Sequence, residues 1–175
     1  MVTVREGKLE DIPQVAQIYD HILEGNGNEI TGWIKGVYPT EQTAREALEA
    51  GELFVMEENG AVVAAAKINQ EQVPEYKNAS WIYKDILPEQ IMVLHTLVVD
   101  PTCAGKGYGT EFVNFYEEYA MKHHCPYLRM DTNAKNVAAR RLYTHLGYKE
   151  VGIVPCVFNG IPNVQLVCLE KKLEL

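Results

Sequence analysis

The chain lacks three features that would mark a membrane, secreted or nucleic-acid-binding protein. Its longest apolar run, 61–66, is far shorter than the ~18 residues of a membrane-spanning helix. The first residues, MVTVREGKLEDIP, carry charges where a signal peptide needs an apolar stretch. With 16 basic against 24 acidic residues, the net charge of −8 leaves no cationic surplus for a phosphate backbone. We therefore expect a cytoplasmic protein without a membrane or nucleic-acid partner.

Cysteine is scarce, and its spacing predicts neither a disulfide nor a metal site. The cysteines at positions 103, 125, 156 and 168 form no CxxC motif and are typical of reduced thiols. His123, His124 and Cys125 are adjacent at the end of a predicted helix, where successive side chains diverge by about 100°. Because such side chains do not converge on one ion, we expect no metal cofactor.

The pattern that is present predicts one α/β domain spanning residues 1–175. The chain is 47% hydrophobic and 23% charged, which is typical of a globular protein with a substantial core. Alternating and apolar runs predict seven strands, at 2–4, 53–56, 61–68, 91–99, 127–131, 151–154 and 164–169. Helical periodicity predicts four helices, at 12–23, 40–50, 110–120 and 138–146. This order indicates a mixed sheet covered by helices.

The segment 94–109, LHTLVVDPTCAGKGYG, is the most informative part of the sequence. A β-branched run stops at Asp100, three alternating glycines follow (Gly105, Gly107 and Gly109), and a helical pattern begins at Thr110. A strand that enters a helix through such a loop aims several backbone N–H groups and the positive end of the helix dipole at one point. The segment therefore predicts a binding site for a ligand that carries phosphate.

Two common phosphate loops do not fit this spacing. A Walker loop, GxxxxGK[ST], would need glycine at Asp100 and a hydroxyl residue at Gly107. A dinucleotide fingerprint, GxGxxG, would need its third glycine at Thr110 or at Phe112. A turn alone would need fewer glycines than the segment has. The ligand is therefore neither a Walker-bound nucleotide nor a Rossmann-bound dinucleotide.

A third pattern fits, and it is that of a known family. The segment VVDPxxxGKGYG resembles the acetyl-CoA loop of GNAT superfamily N-acetyltransferases, V-x-P-x-x-[RQ]-G-x-G-x-G/A. Residues 136–148, NVAARRLYTHLGY, are similar to the second signature of that family, N-x-x-A-x-x-L-Y-x-x-x-G-[FY]. The resemblance implies a mostly antiparallel sheet of about seven strands with about four helices, splayed at the fourth and fifth strands. It also implies acetyl transfer from acetyl-CoA to a primary amine, by direct attack in a ternary complex.

The resemblance implies which residues hold acetyl-CoA. The strand backbone would bind the pantetheine arm, the glycine loop the pyrophosphate, and the second signature the rest. The implied residues are Leu97, Val98, Val99, Ala104, Gly105, Lys106, Gly107, Tyr108, Gly109, Thr110, Asn136 and Tyr143. Asn136 is equally suited to be a helix N-cap. Ala104 departs from the family pattern, which has Arg or Gln there, so binding must rely on the backbone and on Lys106.

The resemblance also implies candidates for proton transfer. Tyr143 is the candidate general acid. With ordinary pKa values near 10 for tyrosine and ~8.5 for a thiol, full transfer runs uphill by about 2 kcal/mol. Tyr143 therefore needs a lowered pKa, or it only donates a hydrogen bond to the thiolate. His95 is the first candidate for the base, since its ordinary pKa of ~6.5 suits the task. Asp131, where some relatives carry a base glutamate, is the second. A strand histidine is also commonly a hydrogen-bonded core residue.

The amine acceptor is the least specified part. The expectation is a small molecule or a peptide, bound by a monomer or a homodimer. Four aromatic residues, Trp33, Tyr38, Trp81 and Tyr83, lie in the irregular stretches 25–39 and 69–90. They suit three roles equally: an acceptor pocket, a cover for the core, or a dimer contact. The alternative to an enzyme is a catalytically silent acetyl-CoA-binding sensor or interaction module, which the departure at Ala104 keeps open.

Overall fold

Seven strands form one sheet, and their order in it differs from their order in the sequence. The computed structural model describes residues 1–174, and the sheet order is β1-β2-β3-β4-β5-β7-β6. All neighbours are antiparallel except β4 and β5, which are parallel. The strands are β1 (Val2–Glu6), β2 (Leu53–Glu58), β3 (Ala61–Asn69), β4 (Ile91–Val99), β5 (Tyr127–Asn133), β6 (Lys149–Phe158) and β7 (Ile161–Lys172). The predicted mixed, mostly antiparallel sheet is confirmed.

Five α-helices accompany the sheet, one more than the periodicity predicts. They are α1 (Ile12–Glu24), α2 (Gly27–Thr31), α3 (Glu41–Glu49), α4 (Tyr108–Lys122) and α5 (Val137–His145). The extra helix, α2, has five residues and lies in the Gly/Asn-rich stretch that the sequence presents as irregular. A helix this short carries too little periodicity to be recognised. Within residues 1–174, none of the helices combines the length and the apolar character that crossing a bilayer requires.

The helices divide the core into layers on the two faces of the sheet. One face packs against α1 and α3, where Val15, Ala44 and Val55 are buried. The opposite face packs against α4, whose Phe112 and Tyr116 are completely buried. A third apolar cluster covers the β5–β7 half of the sheet and includes two aromatic residues of the β3–β4 connection, residues 70–90. That connection therefore contributes two side chains to the core, Tyr76 and Trp81.

The parallel pair β4–β5 opens into a wedge. Pairing runs only from Ile91 opposite Tyr127 to Leu94 opposite Met130. Beyond that point β4 pairs with β3 alone and β5 with β7 alone. His95 and Asp131 are the first residues past the last pair, and therefore they begin the two arms of the wedge.

A β-bulge in β4 sets which side chains face each side of the wedge. Thr96 has φ 52°, a left-handed conformation that is rare for a β-branched residue. The pairing of β3 with β4 shifts between His95 and Val98, so that Thr96 and Leu97 oppose one residue of β3. As a result His95 faces the α1–α3 side, whereas Leu97 packs in the α4 cluster.

Candidate functional site

A cavity of about 460 Å³ lies on the α4–α5 face of the wedge, and we call it the loop cavity. It is lined by both sequence signatures, which are far apart in the chain. Its walls include Leu97, Val99, Ala104, Gly105, Gly107, Tyr108, Gly109, Thr110, Asn136 and Tyr143. Two of the predicted cofactor-binding residues are not among its walls. Val98 is buried against the α1–α3 layer because of the bulge, and Lys106 extends to the side of the loop.

The glycine loop has the backbone shape of an anion site. Gly105 and Gly107 have φ of 82° and 78°, which residues with a Cβ adopt only at a cost. At Gly109 an added Cβ would lie 3.1 Å from Leu142 Cδ2, so this glycine allows α5 to approach α4. The first N–H of α4 to bond an upstream carbonyl is that of Glu111, to Gly107 at 3.1 Å. The N–H groups before it are those that a helix start presents to an anion.

Lys106 and Glu58 form a charged pair beside this loop. Lys106 Nζ lies 3.9 Å from Glu58 Oε1, and half of the lysine side chain is exposed. Tyr108 Oη donates a hydrogen bond to the other oxygen of Glu58, which raises the pKa of Tyr108 to about 12. No sequence motif indicates this carboxylate, because Glu58 lies at the end of β2, about fifty residues before the loop.

The second signature, residues 136–148, contributes the N-cap of α5 and a buried tyrosine. Asn136 Oδ1 accepts a hydrogen bond of 3.1 Å from the N–H of Ala139, so Asn136 is the N-cap of α5. Asn136 also lines the loop cavity. Tyr143 is 7% exposed, and burial is the main cause that raises its pKa above the ordinary value. The hydroxyl is therefore protonated at neutral pH in the protein without a bound ligand.

A second cavity, of about 440 Å³, lies on the opposite face of the wedge, and we call it the wedge cavity. Its floor is formed by His95 and Thr96 of β4 and by Asp131 of β5. Its walls come from α1, α3, the α2–α3 segment, β3, the β3–β4 connection and the β6–β7 turn. Charged and polar wall residues include Tyr38, Glu46, Lys67 and Glu71. The two catalytic candidates His95 and Asp131 therefore share one cavity, while Tyr143 lines the other.

Asp131 is a carboxylate with an unusually high pKa. Burial is the largest cause, and it raises the pKa from 3.8 to about 6. Tyr76 Oη donates a hydrogen bond of 2.6 Å to Asp131 Oδ2, which opposes the shift by stabilising the charged form. The nearby Glu75 carboxylate raises the pKa further. Asp131 is therefore ionised at neutral pH but binds a proton far more readily than an exposed aspartate.

His95 is held in its neutral form. Its Nε2 lies 2.6 Å from Asn69 Oδ1, and that oxygen also accepts the N–H of Glu71 at 3.0 Å. Because an amide oxygen only accepts, Nε2 carries the hydrogen and Nδ1 the lone pair. Burial, assisted by the charge of Lys67, lowers the pKa of His95 to about 4, and a backbone hydrogen bond at Glu71 opposes this shift. The ring is therefore neutral at neutral pH.

The four loop aromatics have different roles. Tyr38 lines the wedge cavity, and its hydroxyl forms a hydrogen bond with Thr96 Oγ1 at the bulge. Trp33 meets the Tyr38 ring edge-on at 6.0 Å. Trp81, in the β3–β4 connection, is buried in the third apolar cluster, and Tyr83 packs against Tyr127 at 5.5 Å. Of the three expected roles, Tyr38 therefore lines a cavity and Trp81 covers the core.

Two cavities therefore flank one bulged strand, and one of them has the backbone groups that suit an anion. Comparisons with known proteins identify the family of the chain. The family model described as "Acetyltransferase (GNAT) family" matches residues 15–148. Because this match spans more than half of the chain, the chain belongs to the GNAT acetyltransferase family.

Solved structures share the fold at low sequence identity. A GNAT family acetyltransferase from Streptococcus agalactiae is 22% identical with a TM-score of 0.78, covering 99% of this chain and 96% of its own. The yncA protein of Salmonella typhimurium, solved with its cofactor acetyl-CoA, is 19% identical with a TM-score of 0.72, covering 100% and 95%. The ribosomal-protein-S18-alanine N-acetyltransferase from Escherichia coli is 18% identical with a TM-score of 0.68, covering 100% and 96%.

Proposed function

We propose that the chain transfers the acetyl group of acetyl-CoA directly to a primary amine, with the donor in the loop cavity and the amine in the wedge cavity. The observation that carries this proposal is the arrangement of the two cavities on opposite faces of β4. The wedge cavity is lined by His95 and Asp131, where the strand splays from β5, and the loop cavity is lined by Leu97, two residues further along β4. Two substrates bound there would lie on either side of β4, which suits direct transfer without an enzyme-bound intermediate. Acetyl-CoA supplies the acyl group and a thiolate leaving group.

The residues around the loop cavity fit the donor. The N–H groups of the loop and of the α4 start suit the pyrophosphate, and the apolar walls at Leu97, Val99 and Leu142 suit the pantetheine arm. Ala104 contributes no side-chain hydrogen bond, which is typically worth ~1.5–3 kcal/mol when a charge is involved. The backbone conformation at Gly105 and Gly107 does not depend on that side chain.

Asp131 is the proposed base, ahead of His95. Both line the wedge cavity, but the pKa of Asp131 is raised to about 6 whereas that of His95 is lowered to about 4. The group with the higher pKa has the greater affinity for the proton that the attacking amine loses. His95 then acts as a neutral polar group on the cavity floor. The ordinary pKa of histidine would instead favour His95 over Asp131 as the base.

Tyr143 is the proposed hydrogen-bond donor to the departing thiolate. Its raised pKa keeps the hydroxyl protonated, so it stabilises the thiolate by donating a hydrogen bond rather than by giving up its proton. Tyr143 lines the loop cavity, and the charge of Asp131 is among the causes of its raised pKa. The two groups therefore flank the transfer point from opposite faces.

A panel of amines tests the proposal. Thiol release from acetyl-CoA is measured with diamines, amino acids, aminoglycosides and peptides with free N-termini, and calorimetry measures acetyl-CoA binding. We expect binding together with amine-dependent thiol release for at least one class. Tight binding without turnover of any amine would favour the alternative, a silent acetyl-CoA sensor. An absence of binding at millimolar acetyl-CoA would contradict both.

A further inference from the structure

The β3–β4 connection, residues 70–90, brings one tyrosine hydroxyl to Asp131, which lines the wedge cavity. Tyr76 is 2% exposed, and its hydroxyl donates the 2.6 Å hydrogen bond to Asp131 Oδ2. Burial raises the pKa of Tyr76 well above its ordinary value, so the hydroxyl is a permanent donor. Among residues 1–174, Asp131 Oδ1 accepts no hydrogen bond, so the two carboxylate oxygens are not equivalent.

Tyr76 is held by the same strand that carries Asp131. The Trp81 Nε1–H donates a hydrogen bond of 2.7 Å to the Tyr76 carbonyl, and the two rings meet edge-on at 5.1 Å. Arg129 stacks on Trp81 at 4.1 Å and donates a hydrogen bond of 2.9 Å to the Tyr83 carbonyl. Arg129 and Asp131 are two residues apart on β5, so they lie on the same face of the sheet. These contacts hold the β3–β4 connection and the Asp131 carboxylate in a fixed position relative to each other.

On this basis we propose that Tyr76 is a positioning residue for the transfer reaction. It holds Oδ2 of Asp131 and leaves Oδ1 to take the proton from the incoming amine. The proposal rests on the function proposed above, in which Asp131 is the base. It also gives the β3–β4 connection a role in the chemistry, because this segment supplies the hydroxyl.

Other titratable groups around Asp131 do not replace this donor. They come from the α2–α3 segment, β3, the β3–β4 connection, β4, α5, β6 and β7. They are Tyr38, Lys67, Glu75, His95, Tyr143, Cys156 and Cys168. None of them donates a hydrogen bond to the carboxylate within the part of the chain that the structure describes. Removal of the Tyr76 hydroxyl therefore leaves a half-buried carboxylate without a side-chain hydrogen-bond donor.

The test compares Tyr76→Phe with Tyr83→Phe, which makes the same chemical change in the same segment. Loss of the donor disfavours the charged form of Asp131, so the acid limb of kcat/KM moves to higher pH by about one pH unit. The rate then falls about fivefold at pH 6 and recovers most of the way above pH 8. Tyr83→Phe leaves the limb unchanged. A uniform loss of rate at every pH in Tyr76→Phe would overturn the proposal, since a merely structural role predicts that result.

A second measurement does not depend on turnover. Carbon-13 NMR titration of the Asp131 carboxyl in the free protein gives its midpoint directly. An upward shift in Tyr76→Phe is expected, and an unchanged midpoint contradicts the inference. If Tyr76→Phe does not fold, Trp81→Phe keeps a ring but removes the Nε1 donor, and a smaller upward shift is expected. The function proposed above fails separately: in that case the midpoint shifts but no amine is acetylated.

Discussion

The loop cavity and the wedge cavity are similar in size but are built from different groups. Backbone N–H groups, glycines and apolar side chains form most of the loop cavity, whereas Asp131, His95 and Lys67 give the wedge cavity its chemistry. A site made of backbone depends on spacing and φ angles. A site made of titratable side chains depends on what surrounds each of them after folding. The ligand class of a backbone site can therefore be inferred from sequence, whereas the chemistry of a side-chain site can be inferred only from the folded structure.

The largest expected effect lies in the wedge cavity. Asp131→Asn keeps the shape of the side chain and its acceptor for Tyr76 but removes the base. We expect kcat/KM to fall about 10²–10⁴-fold. The wild-type acid limb near pH 6 should disappear, because the pKa of Asp131 is raised to about 6 and the rate rises as the carboxylate ionises. Asp20→Asn, on the exposed face of α1, is the matched control. If Asp131→Asn retains the acid limb of kcat/KM, a group other than Asp131 is the base.

Tyr143→Phe tests the side chain of the loop cavity that does chemistry. We expect kcat to fall about 10²-fold, the usual cost of losing one donor to a developing charge. The Kd of acetyl-CoA should stay within about twofold, because the ring and its packing at 6.2 Å from Tyr148 remain. Rapid-quench measurement of the transfer step together with calorimetry separates the two quantities. Unchanged kcat would refute the role and would leave the loop cavity with binding functions only.

The same contrast explains how much the sequence could predict. The glycine loop and the 136–148 signature lie on short continuous segments, so their resemblance to the family patterns could be seen in the sequence. The environment of Asp131 depends on Tyr76, which is 55 positions away, and the bulge at Thr96 meets Tyr38 from 58 positions away. Residue type also gave no warning of the bulge, because a β-branched residue rarely adopts positive φ. The ordinary pKa of histidine therefore favoured His95, and only assembly of the strands favours Asp131.

Gly107→Ala tests whether the loop cavity depends on backbone conformation. Gly107 has φ 78°, and an added Cβ would meet no atom within 4 Å, so the cost is conformational rather than steric. A left-handed residue with a Cβ costs ~1–2 kcal/mol. We expect the Kd of acetyl-CoA to rise about tenfold as the loop relaxes away from its binding shape. Gly60→Ala is the matched control, since Gly60 has φ 82° and equally open space in the β2–β3 turn. It should lower stability by a similar amount without changing Kd.

The smallest expected effect concerns Glu58, the carboxylate beside the loop cavity. Glu58 lies 3.9 Å from Lys106 and accepts a hydrogen bond from Tyr108, so it competes with a bound phosphate for the lysine. Glu58→Gln removes a negative charge next to an anion site, and we expect acetyl-CoA to bind about threefold more tightly at low salt. The gain should shrink as ionic strength rises, because the lysine is half exposed. Glu49→Gln, an exposed change on α3, should leave Kd unchanged. If the tighter binding of acetyl-CoA persists at high salt, Glu58→Gln acts through the shape of the loop and not through charge. Acetyl-CoA binding would then depend on backbone conformation alone.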